Sequence, residues 1–219
     1  MHIIIAGCGK LADAIFSACQ DAQVSCAHFD SQASRVACAV GIHAGSGRQL
    51  KEFHTYCADR CVPIIQASTG QKMPEPVRTI IIDAPNLALP IVYLMGLVKD
   101  MHSRFAILGT PKVNVRESHQ KSKKSVPGTA VKFAEAVKLP PEAIVSVRNP
   151  AEQRALGIPE EHLGRHGFHW ISWAFPNLKV ELRTEVHGLQ PYALGALILA
   201  EDALGKMAVL DSGVYPVCV

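Results

Sequence analysis

The chain opens on a continuous apolar run, Ile3–Ala6, followed at once by glycine positions. A short unbroken run of this kind is the form of a strand buried on both faces. From Lys10 to Asp21 the apolar positions move to Leu11, Ala14, Ile15 and Ala18, a spacing that predicts a helix. Val24–Phe29 reads as a second strand, ending at Asp30, and Arg35–Val40 as a third. A helix is predicted over Arg48–Arg60, carried by Leu50, Phe53, Tyr56 and Cys57. Val62–Ala67 forms a fourth strand before Ser68-Thr69-Gly70, and Thr79–Ile82 a fifth before Asp83-Ala84-Pro85-Asn86. Strands alternating with helices at this pitch argue for a parallel sheet with crossover helices.

Further along, the pattern changes. Leu87–Lys99 is a strongly apolar helix candidate that could connect two domains. Asn114–Ser118, Trp170–Phe175 and Lys179–Val186 read as longer, alternating strands. In the last of these, Val180, Leu182 and Thr184 share one face and Lys179, Glu181, Arg183 and Glu185 the other, as in an open sheet with one solvated face. Gly128–Val137 is a helix between them, broken by Leu139-Pro140-Pro141, and Tyr192–Leu204 is a closing helix. The expected fold class is α/β: an N-terminal Rossmann-type parallel sheet with helices on both faces, plus a C-terminal α+β domain with an open mixed sheet. The expected domains are residues 1–86 closed by 191–219, and residues 87–190. The alternating strands of the second domain could pair between subunits.

Composition narrows the function classes. The 219 residues are 48% apolar and 19% charged, an ordinary globular balance. A net charge of +3 is too small to imply a nucleic-acid partner. The longest apolar runs, Thr79–Ile82 and Ala193–Ala200, are too short to span a bilayer, and the N-terminus lacks the look of a signal peptide, so a cytoplasmic protein is expected. Seven scattered cysteines fit reduced structural thiols. His54-x-x-Cys57-x-x-x-Cys61 lacks a cysteine knuckle and a matching second half, and glycines interrupt His162, His166 and His169, so no metal is expected.

Two segments carry the candidate chemistry. Gly7-x-Gly9-x-x-Ala12 is a dinucleotide fingerprint in its Gly/Gly/Ala form, placed after a strand and before a helix. The first glycine makes the turn, the second admits a pyrophosphate, and the helix N-terminus offers N–H donors. Asp30 ends the next strand, where it would accept hydrogen bonds from ribose hydroxyls and repel a 2′-phosphate. That slightly favours NADH over NADPH, with Lys10 and Arg35 able to offset the repulsion. Gly41–Arg48 is glycine-rich without a Walker sequence and reads as a loop at the nucleotide edge or a simple turn. The second segment, Glu117–Thr129, puts Lys121, Lys123 and Lys124 within a few residues of His119 and ends on Gly128-Thr129 at a helix start. Backbone N–H groups and a hydroxyl there suit a carboxylate.

Taken in order, these segments resemble the 4-hydroxy-tetrahydrodipicolinate reductases of the lysine pathway. The resemblance runs through Gly7-Cys-Gly-Lys-Leu-Ala12, Pro63-Ile-Ile-Gln-Ala-Ser-Thr-Gly70, Ala84-Pro85-Asn86-Leu87, the His–Lys–Gly-Thr loop and Tyr192-Ala-Leu-Gly-Ala196. The family pattern His-His-x-x-Lys-x-Asp-x-Pro-Ser-Gly-Thr, with one residue deleted before Gly128, falls on His119, Gln120, Lys123, Ser125, Pro127, Gly128 and Thr129. An ungapped placement puts Ser118 and Ser122 at the catalytic positions instead; the gapped one recovers His, Lys and Pro together. The family's second His is Gln120 here, its Asp is Ser125, and Arg165–His169 replaces its Arg-Gly-Gly stretch. The resemblance implies His119 and Lys123 as catalytic residues, with Gln120, Gly128 and Thr129 binding a cyclic dicarboxylate. It also implies NADH or NADPH on Gly7, Gly9, Lys10, Leu11, Asp30, Ala67, Thr69, Gly70, Ala84 and Asn86, and a homotetramer. The alternatives are a reductase of the same fold for another imine or keto acid, a non-catalytic NAD-binding relative, and an assembly protein with a lysine-rich docking loop.

Overall fold

The opening apolar run forms β1 (His2–Ala6), flanked by β2 (Ser25–His28) and β3 (Val40–His43). A computed structural model describes residues 1–30, 40–68, 72–73, 75–124 and 126–217. Beyond β3 come β4 (Ile64–Gln66), β5 (Ile80–Asp83) and, returning from the chain's end, β10 (Gly213–Pro216). The order is β10-β5-β4-β3-β1-β2, and every pairing is parallel. Ile3, Ile5, Ile42, Ile65 and Ile82 face α1 (Lys10–Asp21) and α6 (Gln190–Lys206). Ile4, Ala6, Ile64 and Ile81 face the other way, onto Phe53 and Cys57 of α2 (Leu50–Ala58). Both faces of the sheet are covered at its centre, which is why β1, β3, β4 and β5 are buried nearly throughout rather than alternating.

Helix α6 lies unusually close to the chain beneath it. A Cβ on Gly195 would sit 1.7 Å from the Leu87 carbonyl oxygen, so only glycine allows this approach. Of the expected third strand, Arg35–Val40, residues 35–39 lie outside the described residues; the strand is seen over Val40–His43, so Gly41–His43 is sheet, not loop. Gly41 is tolerated because its partners on β1 and β4 supply the ladder on both sides.

The remaining strands form a second sheet. β6 (Lys112–His119), β7 (Val145–Val147), β8 (His166–Phe175) and β9 (Leu178–His187) lie in the order β7-β6-β8-β9. β7 runs parallel to β6, and the other two pairings are antiparallel, so the sheet is mixed. The long helix α3 (Leu89–Ile107) extends eight residues past its predicted end and brings Phe105 edge-on to Trp173, with ring centroids 5.4 Å apart. α4 (Gly128–Ala136) buries Ala130, Phe133 and Ala134. α5 (Pro150–Ala155) is capped by Asn149, whose side chain accepts from the Ala151 N–H. The chain divides into two compact units, Met1–Leu89 with Leu189–Val219, and Pro90–Gly188. Among the described residues, no helix is long and apolar enough to cross a membrane.

Candidate functional site

Each unit carries its own candidate site. In the first, β1 stops at Ala6 because Gly7 turns the chain with φ +129°, a conformation that side-chain-bearing residues rarely adopt. A Cβ there would also lie 2.8 Å from the Ala44 carbonyl carbon. Gly9 is the helix cap, extended at φ −101° and ψ 170°, and a Cβ on it would meet no protein atom within 4 Å. No side chain caps α1, so its first-turn N–H groups remain available to an anion. Above this turn lies a cleft of about 630 Å³ lined by Gly7, Gly9, His28, His43, Ser46 and Arg48 among others. Arg48 donates from Nε to Ser46 Oγ at 3.1 Å. Uncapped amides, open space over Gly9, a cleft of this volume and a guanidinium together fit a phosphate-bearing dinucleotide.

The other predicted cofactor residues are placed less directly. Lys10 and Leu11 open α1, and Asp30 lies exposed two residues beyond the end of β2. Ala67 and Ala84 are buried, their N–H groups donating to His43 O and Gln66 O at 2.9 Å each. Asn86 Oδ1 accepts from the Ala88 N–H, closing a turn. None of these residues lines the cleft above the Gly7 turn. Thr69 and Gly70 lie outside the described residues. Beneath the cleft is a buried polar chain. His43 Nδ1 meets Ser68 Oγ at 3.0 Å and the Gln66 amide nitrogen at 3.2 Å, and Gln66 Oε1 meets His54 Nε2 at 3.3 Å. Burial, with His54 nearby, pushes the His43 pKa down to about 4, so its imidazole is neutral at neutral pH.

In the second unit, β6 carries Glu117 and His119 on one face, two positions apart. Glu117 is fully buried. Its Oε2 is 2.8 Å from His119 Nδ1, and Arg148 grips both carboxylate oxygens, Nη1 to Oε2 at 3.0 Å and Nη2 to Oε1 at 2.6 Å. Burial raises the Glu117 pKa, but hydrogen bonds from His119, Arg148 and Ser146 outweigh it and hold the pKa at about 2. Arg148 Nε also donates to the Lys123 carbonyl at 3.0 Å, and Gln153 Nε2 to the His119 carbonyl at 2.8 Å. Gln120 opens the next turn, its carbonyl accepting from the Lys123 N–H at 2.9 Å. Gly128 and Thr129 begin α4, whose cap residue Pro127 offers no side-chain bond.

Two more histidines surround His119. The His169 ring centroid lies 5.6 Å away, and that of His166 lies 6.4 Å away. His169 is deeply buried, bonded from Nδ1 to Thr184 Oγ1 at 3.0 Å, and burial pushes its pKa down to about 3. His166 bonds Ser118 Oγ at 2.9 Å and the His162 carbonyl at 2.9 Å, and burial lowers its pKa too. Ser118 is buried, and Ser122 is exposed in the turn. Among the described residues, no group of three or more His, Cys, Asp or Glu could hold a metal ion. Sequence reasoning missed Glu117, Arg148 and His43. Glu117 had a local signal, a carboxylate two positions before a histidine on a strand. Arg148 had none, because its partner is 31 residues away.

No family profile matches the chain. Curated plant proteins do, among them these two. One is a probable 4-hydroxy-tetrahydrodipicolinate reductase 1 of Oryza sativa subsp. japonica, described as chloroplastic and 28% identical over 151 residues, which is 62% of this chain and 44% of that protein. The other is the chloroplastic 4-hydroxy-tetrahydrodipicolinate reductase 1 of Arabidopsis thaliana, 30% identical over 151 residues, with the same shares of 62% and 44%. The matched stretch thus spans less than half the length of either relative. Among solved structures, the dipicolinate-bound dihydrodipicolinate reductase of Paenisporosarcina sp. TG-14 superimposes with a TM-score of 0.68, covering 99% of this chain and 97% of that one at 15% identity. That likeness is one of fold.

Proposed function

We propose that this chain, a divergent relative of the 4-hydroxy-tetrahydrodipicolinate reductases, reduces a conjugated cyclic imine dicarboxylate at the expense of NADH or NADPH. The reaction takes 4-hydroxy-tetrahydrodipicolinate, the reduced nicotinamide and a proton to tetrahydrodipicolinate, the oxidised nicotinamide and water, in lysine and diaminopimelate biosynthesis; the 4-hydroxyl leaves as water, and the conjugated imine so formed takes the hydride. The observation that carries this reading is the passage from β6 to α4, which holds His119, Lys123 and the N-terminus of α4 in one unit. When bound, a reduced nicotinamide supplies the hydride. Gly7, Gly9 and the first turn of α1 would hold its pyrophosphate, with Asp30 near the ribose and NADH slightly favoured for that reason. Lys123 and the Gly128 and Thr129 amides bind substrate carboxylate, the first as a charged donor and the second as a nest, with Gln120 beside them. His119 gives a proton to the ring carbon next to the one reduced, a step suited to an imidazole near neutral pH.

The test is steady-state oxidation of NADH and of NADPH with freshly generated 4-hydroxy-tetrahydrodipicolinate. His119→Ala should lower kcat by about 10²–10⁴-fold, and Lys123→Ala should chiefly raise KM. Wild-type kcat and KM in both variants would remove the assignment. The substitutions at Gln120 and Ser125, where the family pattern has His and Asp, favour one second reading: a reductase of the same kind acting on another imine or keto acid. A substrate panel with NADH separates the two. A homotetramer built through the second sheet belongs to the same proposal, and light scattering tests it.

A further inference from the structure

We propose that Glu117 is a positioning residue that fixes which nitrogen of His119 exchanges protons; this rests on the reading of His119 as the acid. Glu117 sits in the middle of the β7-β6-β8-β9 sheet, paired in register with His169 and fully buried. A carboxylate in such a place is costly unless its oxygens are satisfied. Arg148 satisfies both at 3.0 and 2.6 Å, and an arginine can only donate. The carboxylate therefore has no proton of its own to offer His119. At 2.8 Å the shared proton must sit on His119 Nδ1. Nε2 has no hydrogen-bond partner among the described residues and is left as the atom that gains and loses a proton. His166 and His169 flank the ring, with centroids 6.4 and 5.6 Å away, and limit its freedom to turn over.

Glu117→Gln tests this with little change of shape. Arg148 would claim the new amide's oxygen and turn its NH₂ toward His119, so Nδ1 would become the acceptor and the proton would move to Nε2. The histidine ring nitrogens of ¹⁵N-labelled protein report this directly at mildly alkaline pH, with His119→Asn identifying the signals. Expected is a neutral His119 protonated on Nδ1 in the wild type and on Nε2 in Glu117→Gln. With the imine substrate, kcat should fall about 10²-fold or more while KM stays within about threefold. A wild-type His119 protonated on Nε2 overturns the proposal, and this result needs no variant if Glu117→Gln fails to fold. Inversion of the tautomer with kcat unchanged overturns it equally. A wild type that turns over no imine would defeat the proposed reaction instead, while the nitrogen spectra still judge Glu117.

Discussion

The two glycines of the opening turn should fail in different ways. At Gly7 an alanine meets two obstacles. Its φ of +129° is open to glycine almost alone, which costs about 1–3 kcal/mol for another residue. Its Cβ would also press within 2.8 Å of the Ala44 carbonyl carbon and 2.9 Å of the Gly45 nitrogen, both backbone, so the neighbour cannot swing aside. Overpacking of that kind adds about 1–3 kcal/mol. Gly7→Ala should therefore lower the melting temperature by roughly 5–20 °C, at about 2–4 °C per kcal/mol for a chain of this size. Gly9 is extended at φ −101°, and a Cβ there touches nothing. Gly9→Ala should fold within about 0.5 kcal/mol of wild type. Its methyl would instead occupy the space through which a pyrophosphate approaches, weakening NADH binding by about 10- to 100-fold, or roughly 1.4–2.8 kcal/mol. Thermal melts and calorimetric NADH titrations of both variants settle the matter. A Gly9→Ala protein that binds NADH as tightly as wild type would remove the dinucleotide from this turn, and a Gly7→Ala protein that melts like wild type would refute the steric reasoning.

Other outcomes follow from packing and burial. Gly195→Ala gains about 1 kcal/mol of helix propensity. The 1.7 Å overlap with a backbone oxygen must outweigh that gain, so urea denaturation should show net destabilisation, and a stabilised variant would contradict the close approach of α6. Phe133→Ala should cost about 3–5 kcal/mol in the second unit, because the ring is fully buried against His169. Acid should weaken the protein early. His169 and His43 stay neutral when folded, down to about 3 and about 4, whereas the unfolded chain takes up protons near 6.5. The unfolded state thus binds more protons below pH 6.5, and stability falls as pH falls through that window by a few kcal/mol. Glu117 extends the loss from about 4.5 down toward 2. A urea midpoint that stays flat from about pH 7 to pH 5 would contradict buried neutral imidazoles.

Legibility differed by residue. Lys10–Asp21 was readable to the residue, because its apolar spacing and the glycine turn before it are local. So was the alternation of β9, whose exposed and covered positions follow its sequence. The short strands β7 and β10 and the helix α5 went unread, since three to six residues carry too little periodicity to stand out. That Gly41–His43 belongs to a strand was not readable, because pairing with β1 and β4 decided it, against a glycine that reads locally as a turn. His119 and Lys123 were legible as a loop motif, whereas Arg148, which grips Glu117 and the Lys123 carbonyl, was not.

From sequence alone came the alternation of apolar strands and helices, the glycine turn, and a histidine–lysine loop opening a helix. These depend on neighbours along the chain, and neighbours constrain backbone geometry directly. Only the tertiary structure brought Arg148 to Glu117, set His169 against His119, and joined His43 to His54 through Gln66. Strand register decides such meetings, and register follows from the burial of whole faces rather than from any single stretch of residues.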